Sequence, residues 1–382
     1  MIMKSGSLDM GSIRFRQISP FVEYSIDGIP RYSKPANAKK EAEGRFYTLF
    51  GYAKRKKYVF YNDDIVLMLA IDYLESGNGT IINVTVKNNG ESDIRLKKIG
   101  LASINHVDYM GNADEWVLSG VSDTSVNADL TETLSNVEGR NSLRRYKDIV
   151  SLCSADGSGV IMGACGRPEA ELIFDCDVIN GTISINIYSD MSSVTVESGE
   201  TRDAQSVVIM QGDHIDCVEK ISDAMVKTHG SRVSKKPICS WTSKYCMGNT
   251  VDSDSVVAAS DAIAMQSLNE SLNMVEINDG YQKKYGEWSE NESFGKTLAE
   301  CVKHIKANNL IAGVRIAPLY VDDSLGMYEK CPEMFQRDKN GKRTSVICDS
   351  CGNKCSALDP THPESIKYIT DIIKQKADEG FG

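Results

Sequence analysis

Residues 273–281, Asn-Met-Val-Glu-Ile-Asn-Asp-Gly-Tyr, hold the pattern that organises the second half of this chain. The apolar residues up to Ile277 predict a short strand, and the polar pair Asn278 and Asp279 follows directly at its end. Gly280 comes next, as is typical of a tight turn. We therefore expect an amide and a carboxylate side by side at the end of a buried strand.

Strands and helices alternate on both sides of this stretch. Residues 238–241 and 310–317 predict two further strands. Three amphipathic or well-capped segments predict helices, namely residues 253–272, 297–307 and 363–377. Such alternation implies parallel strands joined by helical crossovers.

The first half of the chain has a different, two-residue periodicity. In residues 182–188, Ile183, Ile185 and Ile187 share one face, which predicts a half-buried strand. Asn180-Gly181 separates that strand from another at residues 171–178 and is a strong hairpin signal. The same dipeptide recurs at Asn78-Gly79 and Asn89-Gly90. Many short strands at this spacing predict a large antiparallel sandwich.

Three segments follow from these patterns. Residues 1–215 form the β-sandwich domain, residues 216–236 form a helical connector that ends in a polar boundary, and residues 237–382 form the alternating domain. The predicted class is therefore multidomain, β plus α/β.

Composition narrows the partners and the compartment. The 382 residues carry a formal net charge of −10 and no run rich in Lys or Arg, which argues against nucleic acid and anionic membranes as main partners. The first ten residues hold no apolar segment typical of a signal peptide, and no apolar run reaches the roughly 18–20 residues that span a bilayer. Eleven cysteines, an odd number, then favour reduced thiols and a cytoplasmic protein.

Five motifs occur in a fixed order in the second half of the chain. They are Cys239-Ser240-Trp241, Glu276 to Tyr281, Gly286-Glu287-Trp288, Gly313 to Pro318 and Ala357 to Pro363. Their succession resembles the glycoside hydrolases of family 36, the α-galactosidase and raffinose-synthase-like group. The resemblance covers about residues 236–382, and the β-rich first half is compatible with that family's N-terminal domain.

The resemblance implies a fold and an activity. The fold would be an N-terminal antiparallel β-supersandwich followed by the first three units of an incomplete (β/α)8 TIM barrel. The activity would be hydrolysis of terminal α-galactosides with retention. In such barrels, ligands meet the C-terminal ends of the strands.

Five residues are the candidate substrate-binding set. Asp279 and Asn278 close the second strand, where a carboxylate and an amide can hydrogen-bond to sugar hydroxyls. Trp241 and Tyr281 offer aromatic faces for the C–H side of a pyranose, although either could pack the core instead. Arg315 closes the third strand. The remaining candidates, Trp288 and His362, are expected to be structural.

Two of these positions depart from the family pattern. Asn278 stands where the family has an aspartate, and Arg315 stands where it has a tryptophan. An arginine cannot replace a tryptophan platform, but its planar guanidinium can stack or bind an anion. A modified or acidic sugar is therefore a hypothesis beside galactose.

The catalytic carboxylates are expected outside the chain. A retaining glycosidase needs two of them roughly 5–5.5 Å apart, and by resemblance both lie beyond Gly382. Asp359 matches another motif and is expected to cap the helix that follows it. The sequence thus predicts a fragment of a glycoside hydrolase, inactive alone. The alternatives are a non-catalytic carbohydrate-binding module and a galactosyl transferase of the raffinose-synthase type.

A cluster of cysteines allows two interpretations. Cys348, Cys351 and Cys355, with Cys331 as a fourth ligand, could hold a structural zinc ion. Free thiols or a local disulfide are the favoured interpretation, because no paired second motif follows. No cofactor is expected, the expected partner is a carbohydrate substrate, and a homo-oligomer is an expectation from the resemblance.

Overall fold

The computed structural model describes residues 7–34, 38–62, 64–122, 131–135, 143–166, 170–179, 182–231, 237–338, 340–348 and 352–382. These residues fall into two compact units, Met1–Val233 and Ser234–Gly382. The first unit is made almost wholly of strands, and the second combines strands with helices.

The described part of the first unit contains seventeen strands and one long helix, α1 (His214–His229). The strands are β1 (Leu8–Met10), β2 (Ile13–Arg16), β3 (Ser19–Ile26), β4 (Ile29–Ser33), β5 (Lys39–Thr48), β6 (Gly51–Tyr61), β7 (Ile65–Leu74), β8 (Gly79–Asn88), β9 (Ile94–Tyr109), β10 (Trp116–Ser122), β11 (Thr131–Thr133), β12 (Leu143–Ser154), β13 (Gly159–Ala164), β14 (Glu171–Ile179), β15 (Thr182–Val196), β16 (Thr201–Asp203) and β17 (Val207–Gln211).

These strands form one hydrogen-bonded network in which the described pairs run antiparallel, so the antiparallel β prediction is confirmed. Strands β14 and β15 pair from Glu171 opposite Asp190 to Ile179 opposite Thr182. That register is a hairpin, as predicted, although its Asn-Gly turn lies outside the described residues. Ile185, in the middle of the predicted alternation, is fully buried.

Strand β12 connects two parts of the network. Its first half pairs with β14 from Leu143 to Lys147, and its second half pairs with β13 from Ile149 to Cys153. Asp148 lies between the halves with a φ of 58°, at a bulge opposite β10. A bulge bends a strand and increases its twist. The network therefore turns at β12.

The network folds over a shared core. Strands β7, β9 and β15 contribute Ile71, Ile104 and Ile185 to one cluster of buried residues, although β7 is paired with neither β9 nor β15. A second cluster places Ile221 of α1 against the sheet at Ile161 and Val208. Helix α1 begins at Asp213, whose side chain accepts two backbone N–H bonds, and ends at left-handed Gly230.

The hairpin predicted at Asn78-Gly79 is present, because β7 pairs antiparallel with β8 from Ile65 opposite Asn88 to Tyr73 opposite Thr80. Its turn lies slightly earlier than the predicted dipeptide: Gly79 is the first residue of β8, and the positive φ in the β7–β8 connection belongs to Gly77. Asn89-Gly90 makes no hairpin, because the described residues of β9 pair with β2, β3 and β15 and not with β8. The Asn-Gly signal reports a local preference for positive φ. It does not report which strands then pair.

The described part of the second unit contains eight strands: β18 (Ser240–Thr242), β19 (Met274–Ile277), β20 (Gln282–Lys284), β21 (Glu287–Glu290), β22 (Ile311–Val314), β23 (Tyr320–Asp322), β24 (Ser345–Ile347) and β25 (Lys354–Ala357). Its α-helices are α2 (Ser243–Met247), α3 (Ser253–Met265), α4 (Leu298–Ala307), α5 (Met327–Lys330) and α6 (Pro363–Asp378). Short 3₁₀ turns lie at Gly248–Thr250, Asp323–Leu325 and Pro332–Met334.

Strands β18, β19 and β22 form a parallel sheet in chain order. Helix α3 connects the first two, and α4 connects the second to the third. The α4 start is fixed by a capping box in which Thr297 and Glu300 exchange side-chain-to-backbone bonds. The alternating strands and helices predicted from the sequence are therefore present.

Helix α3 is shorter than predicted. The pattern suggested a helix to residue 272, but α3 ends at Met265. Ser267 has a φ of 54°, and the Leu268 N–H bonds back to the Ile263 carbonyl. This left-handed residue ends the helix before its apolar pattern ends.

The core of the second unit lies between the parallel sheet and its helices. Val275, Ala312 and Ile305 are completely buried there. No helix within the described residues is long and apolar enough to cross a membrane.

Candidate functional site

The C-terminal ends of β18, β19 and β22 lie side by side, because the three strands are parallel and in register. A cavity of about 390 Å³ opens at these ends. Its described lining consists of Lys244, Gly248, Asn249, Asn278, Asp279, Tyr285, Arg315, Ala317, Tyr320, Val346, Ile347 and Cys348. The structure thus brings three of the five predicted site residues, Asn278, Asp279 and Arg315, to one cavity.

Asp279 is held from two sides. It is 8% exposed, and its Oδ2 accepts a hydrogen bond from the Tyr285 hydroxyl at 3.0 Å. Its Oδ1 accepts a second bond from Gln282 Nε2 at 3.1 Å. A carboxylate has about four lone-pair sites. Asp279 is therefore fixed in orientation and keeps acceptor capacity towards the cavity.

Asn278 makes bonds that orient its neighbours. Its Nδ2 donates to Glu276 Oε1 at 2.6 Å, and its Oδ1 accepts from the Asp279 backbone N–H at 2.9 Å. Its own backbone N–H donates to Ser243 Oγ at 2.9 Å. Asn278 thereby ties the end of β19 to the end of β18. A direct sugar contact by this amide stays a prediction.

Gly280 allows a close approach behind Asp279. Its φ is 115°, and a Cβ added there would lie 2.6 Å from the Asn249 carbonyl oxygen. Only glycine fits this conformation and this space without strain. The turn after β19 can therefore pack directly on the backbone of Asn249, which is itself part of the cavity lining.

Arg315 follows β22 and faces Asp279. Its backbone N–H continues the parallel ladder to the Ile277 carbonyl at 2.9 Å. Its side chain is 41% exposed, and its Nε lies 3.6 Å from Asp279 Oδ2, beyond normal hydrogen-bond distance. The guanidinium makes an ion pair with Asp279 but no hydrogen bond to any other part of the chain that the structure describes.

The two predicted aromatic residues lie elsewhere. Tyr281 is completely buried, packs edge-on against Phe294, and donates its hydroxyl to the Arg315 carbonyl at 3.2 Å. Burial and the nearby Asp279 carboxylate raise the pKa of the Tyr281 hydroxyl. Trp241 lies in β18, partly buried against the core, and is not part of the described lining. These positions fit support of the site, and direct sugar contacts by either residue stay predictions.

Three contributors to the site escaped the sequence patterns. Tyr285 and Gln282 reach Asp279 through the β20–β21 hairpin, which follows the Asp-Gly turn. Lys244 lies at the start of α2, just after β18. The only signal for Lys244 was its position three residues after the end of the strand predicted over residues 238–241.

The cysteine cluster is only partly described, since Cys351 lies outside the described residues. Cys348 and Cys355 are buried, and Cys331 is partly exposed. Within the described ranges, no group of three His, Cys, Asp or Glu side chains could hold a metal ion. Structural zinc at the full cluster stays a prediction.

Asp359 has a different local role from the expected helix cap. Its Oδ1 accepts bonds from the Thr361 backbone N–H and hydroxyl, and these bonds lower the pKa of Asp359. The cap residue of α6 is His362, which makes no side-chain capping bond. Asp359 therefore shapes the turn before α6.

A larger cavity, of about 530 Å³, lies on the first unit. Its charged lining is already paired in part: Arg55 makes two bonds to Asp72, and Asp203 accepts the Thr85 hydroxyl. The smaller cavity at the strand ends combines the predicted residues with Lys244 and Arg315, whose side chains donate no hydrogen bond to the residues that the structure describes. We therefore take the smaller cavity as the candidate site.

Comparison with solved structures identifies the fold as that of the glycoside hydrolase family 36 α-galactosidases. The α-galactosidase AgaA from Geobacillus stearothermophilus matches 94% of this chain and 53% of its own, with a TM-score of 0.59 and 13% identity. The galactosidase domain of the α-galactosidase–sucrose kinase AgaSK matches the same shares, with a TM-score of 0.61 and 16% identity. AgaB from G. stearothermophilus matches 93% of this chain and 52% of its own, with a TM-score of 0.57 and 13% identity.

The fold resemblance expected from the motifs is therefore confirmed. AgaA variants have been solved in complex with raffinose and with stachyose. The chain spans about half the length of these enzymes. No family model matches the sequence, and no curated protein matches it.

Proposed function

We propose that this chain is part of a glycoside hydrolase that acts on terminal α-galactoside-like sugars by a retaining double displacement. In this proposal the first unit is a β-supersandwich and the second contributes the first three units of a (β/α)8 barrel. The nucleophile and the acid/base belong to the part of the enzyme beyond Gly382. The 382-residue chain alone is then inactive.

One observation carries the proposal. Asp279 is a buried carboxylate, oriented by Tyr285 and Gln282, that borders a cavity at the C-terminal ends of parallel strands. Ligands of (β/α)8 enzymes bind at that end of the strands. The fold shared with α-galactosidases supports a sugar as the ligand.

A second candidate function is sugar binding without hydrolysis. Among the described residues that line the cavity, Asp279 is the only carboxylate. Double displacement needs two carboxylates roughly 5–5.5 Å apart. A site with one carboxylate can bind a sugar but cannot complete that reaction.

Hydrolysis of p-nitrophenyl α-galactoside separates the two candidates. We would compare the 382-residue chain with a protein that continues through the downstream gene sequence. The proposal expects turnover only in the longer protein and its loss in the longer Asp279→Asn variant. Turnover by the 382-residue chain would contradict the placement of the nucleophile. Absence of turnover in the longer protein, with galactoside binding retained, would favour the binding module.

A further inference from the structure

The charge of the candidate site is opposite to that of the chain. The whole sequence has a net charge of −10. The described cavity lining, by contrast, holds two cations, Lys244 and Arg315, and one carboxylate, Asp279. A cavity lined by one sign of charge concentrates ligands of the other sign. A positive cavity on an acidic protein therefore favours an anionic ligand.

Arg315 has donors to offer. Its contact with Asp279 is a single approach of 3.6 Å from Nε, and its guanidinium makes no hydrogen bond within the described ranges. Asp279 in turn already accepts bonds from Tyr285 and Gln282. The guanidinium therefore keeps N–H groups that donate no hydrogen bond to Asp279 or to another described residue. Their planar arrangement matches the two oxygens of a carboxylate.

Lys244 adds a second positive charge to the cavity, next to the end of β18. It is exposed at the start of α2, and its ammonium makes no ion pair with the described residues. Lysine is a compact point charge that attracts an anion without strict geometry. Arg315 and Lys244 approach the cavity from β22 and β18, on opposite sides of Asp279.

With a neutral sugar, the single Asp279 carboxylate would be the only negative charge among the described lining residues to set against the two cations. The sugar hydroxyls can bond to Asp279, but they offer no charge to a guanidinium that the ligand partly removes from water. Desolvating a charge without a partner is costly. A sugar with an anionic substituent offers a negative charge to Arg315 and Lys244 and hydroxyl donors to Asp279.

We propose that the site takes a sugar that carries an anionic group, which Arg315 binds while Asp279 accepts the sugar hydroxyls. The proposal rests on the proposed function, since it names the substrate class of the same site. A carboxylate at C6 of a galactose-like ring is the favoured form, because its two oxygens match the guanidinium fork.

The test compares ligands that differ only at C6: methyl α-galactoside, the corresponding galacturonide and the 6-sulfate. Affinities would be measured by calorimetry on the native chain. We expect the galacturonide to bind at least about tenfold more tightly than the neutral galactoside, as a charge-assisted bond replaces a neutral one. The 6-sulfate distinguishes a general anion preference from a carboxylate preference.

Two variants and a control assign the preference to the site. Arg315→Gln should remove most of the tenfold preference, measured as the ratio of the galacturonide and galactoside affinities of the same variant. Lys244→Gln should reduce the preference less, in a manner that weakens with added salt. Lys283→Gln removes the same charge from a lysine that pairs with Glu287 outside the described lining, and it should change nothing.

The outcomes separate this inference from the function on which it rests. Equal affinity for the galactoside and the galacturonide would overturn the acidic-sugar inference and leave the galactosidase proposal standing. Failure of all three sugars to bind would overturn both. Competition by inorganic sulfate alone at the affinity of the galacturonide would overturn the sugar component, because the ring would then contribute nothing.

Discussion

Two arginine–aspartate pairs in this molecule use the same chemistry differently. In the first unit, Arg55 donates from Nε and Nη2 to both oxygens of Asp72, at 2.6 and 2.7 Å. In the second unit, Arg315 approaches Asp279 through Nε alone, at 3.6 Å. Asp72 and Asp279 are both buried, at 1% and 8% exposure.

The difference lies in what else contacts each carboxylate. Asp72 has the guanidinium fork as its partner across β6 and β7. Asp279 is held by Tyr285 and Gln282, so it needs no bond from Arg315 to be satisfied. The hydrogen bonds between Arg55 and Asp72 hold β6 and β7 together. The second pair leaves an exposed cation beside an oriented carboxylate, which is the arrangement of a binding site.

The largest effect is expected from breaking the structural pair. Asp72→Asn places an amide donor against a guanidinium donor and leaves Arg55 without its counter-charge. We expect the free energy of unfolding to fall by about 3 kcal/mol, measured by urea denaturation. Glu75→Gln is the matched control, because Arg45 and Glu75 make the same two-bond pair on the exposed surface. A loss in the control equal to that of Asp72→Asn would contradict the role of burial.

The next effect concerns the turn that supports Asp279. Gly280→Ala brings a Cβ within 2.6 Å of the Asn249 carbonyl oxygen at a φ of 115°. We expect a cost of about 2–3 kcal/mol, from backbone strain together with overpacking. Gly341→Ala is the control: Gly341 has a φ of 76°, and a Cβ added there would have no atom within 4 Å. Its cost therefore comes from backbone strain without overpacking. Equal losses in thermal or urea unfolding would mean that the contact with Asn249 does not matter.

The sequence predicted more of the Arg315–Asp279 pair than of the Arg55–Asp72 pair. It placed Asp279 and Arg315 at strand ends, because parallel strands and their polar endings are local patterns. It could not place Tyr285 or Gln282, since these reach Asp279 through the β20–β21 hairpin, whose contacts depend on tertiary packing. No sequence pattern predicted the pairing of Asp72 with Arg55, because that pairing depends on the register between β6 and β7. For Tyr281 the sequence left two alternatives open, since an aromatic residue at a strand end suits both a core and a sugar-binding platform, and the structure buries it.

A smaller loss of stability is expected from Tyr285→Phe, which should make the Arg315–Asp279 pair more like the Arg55–Asp72 pair. Tyr285→Phe removes the hydroxyl that donates to Asp279 Oδ2 and leaves the ring stacked near Trp288. We expect a stability loss of about 1–1.5 kcal/mol for the lost bond. We also expect Arg315 to move into hydrogen-bond distance of the freed oxygen, which a crystal structure would detect. Tyr320→Phe is the control, because the Tyr320 hydroxyl makes no hydrogen bond with the described residues.

The smallest stability effect is expected at Arg315 itself. Arg315→Gln removes a half-exposed cation whose only described side-chain contact is the 3.6 Å ion pair, so the free energy of unfolding should change by less than about 0.5 kcal/mol. The same variant should lose its preference for an acidic sugar. Urea unfolding and ligand titration on one preparation would measure both. A stability loss near that of Asp72→Asn would mean that Arg315 is a structural residue like Arg55, and the contrast between the two pairs would fail.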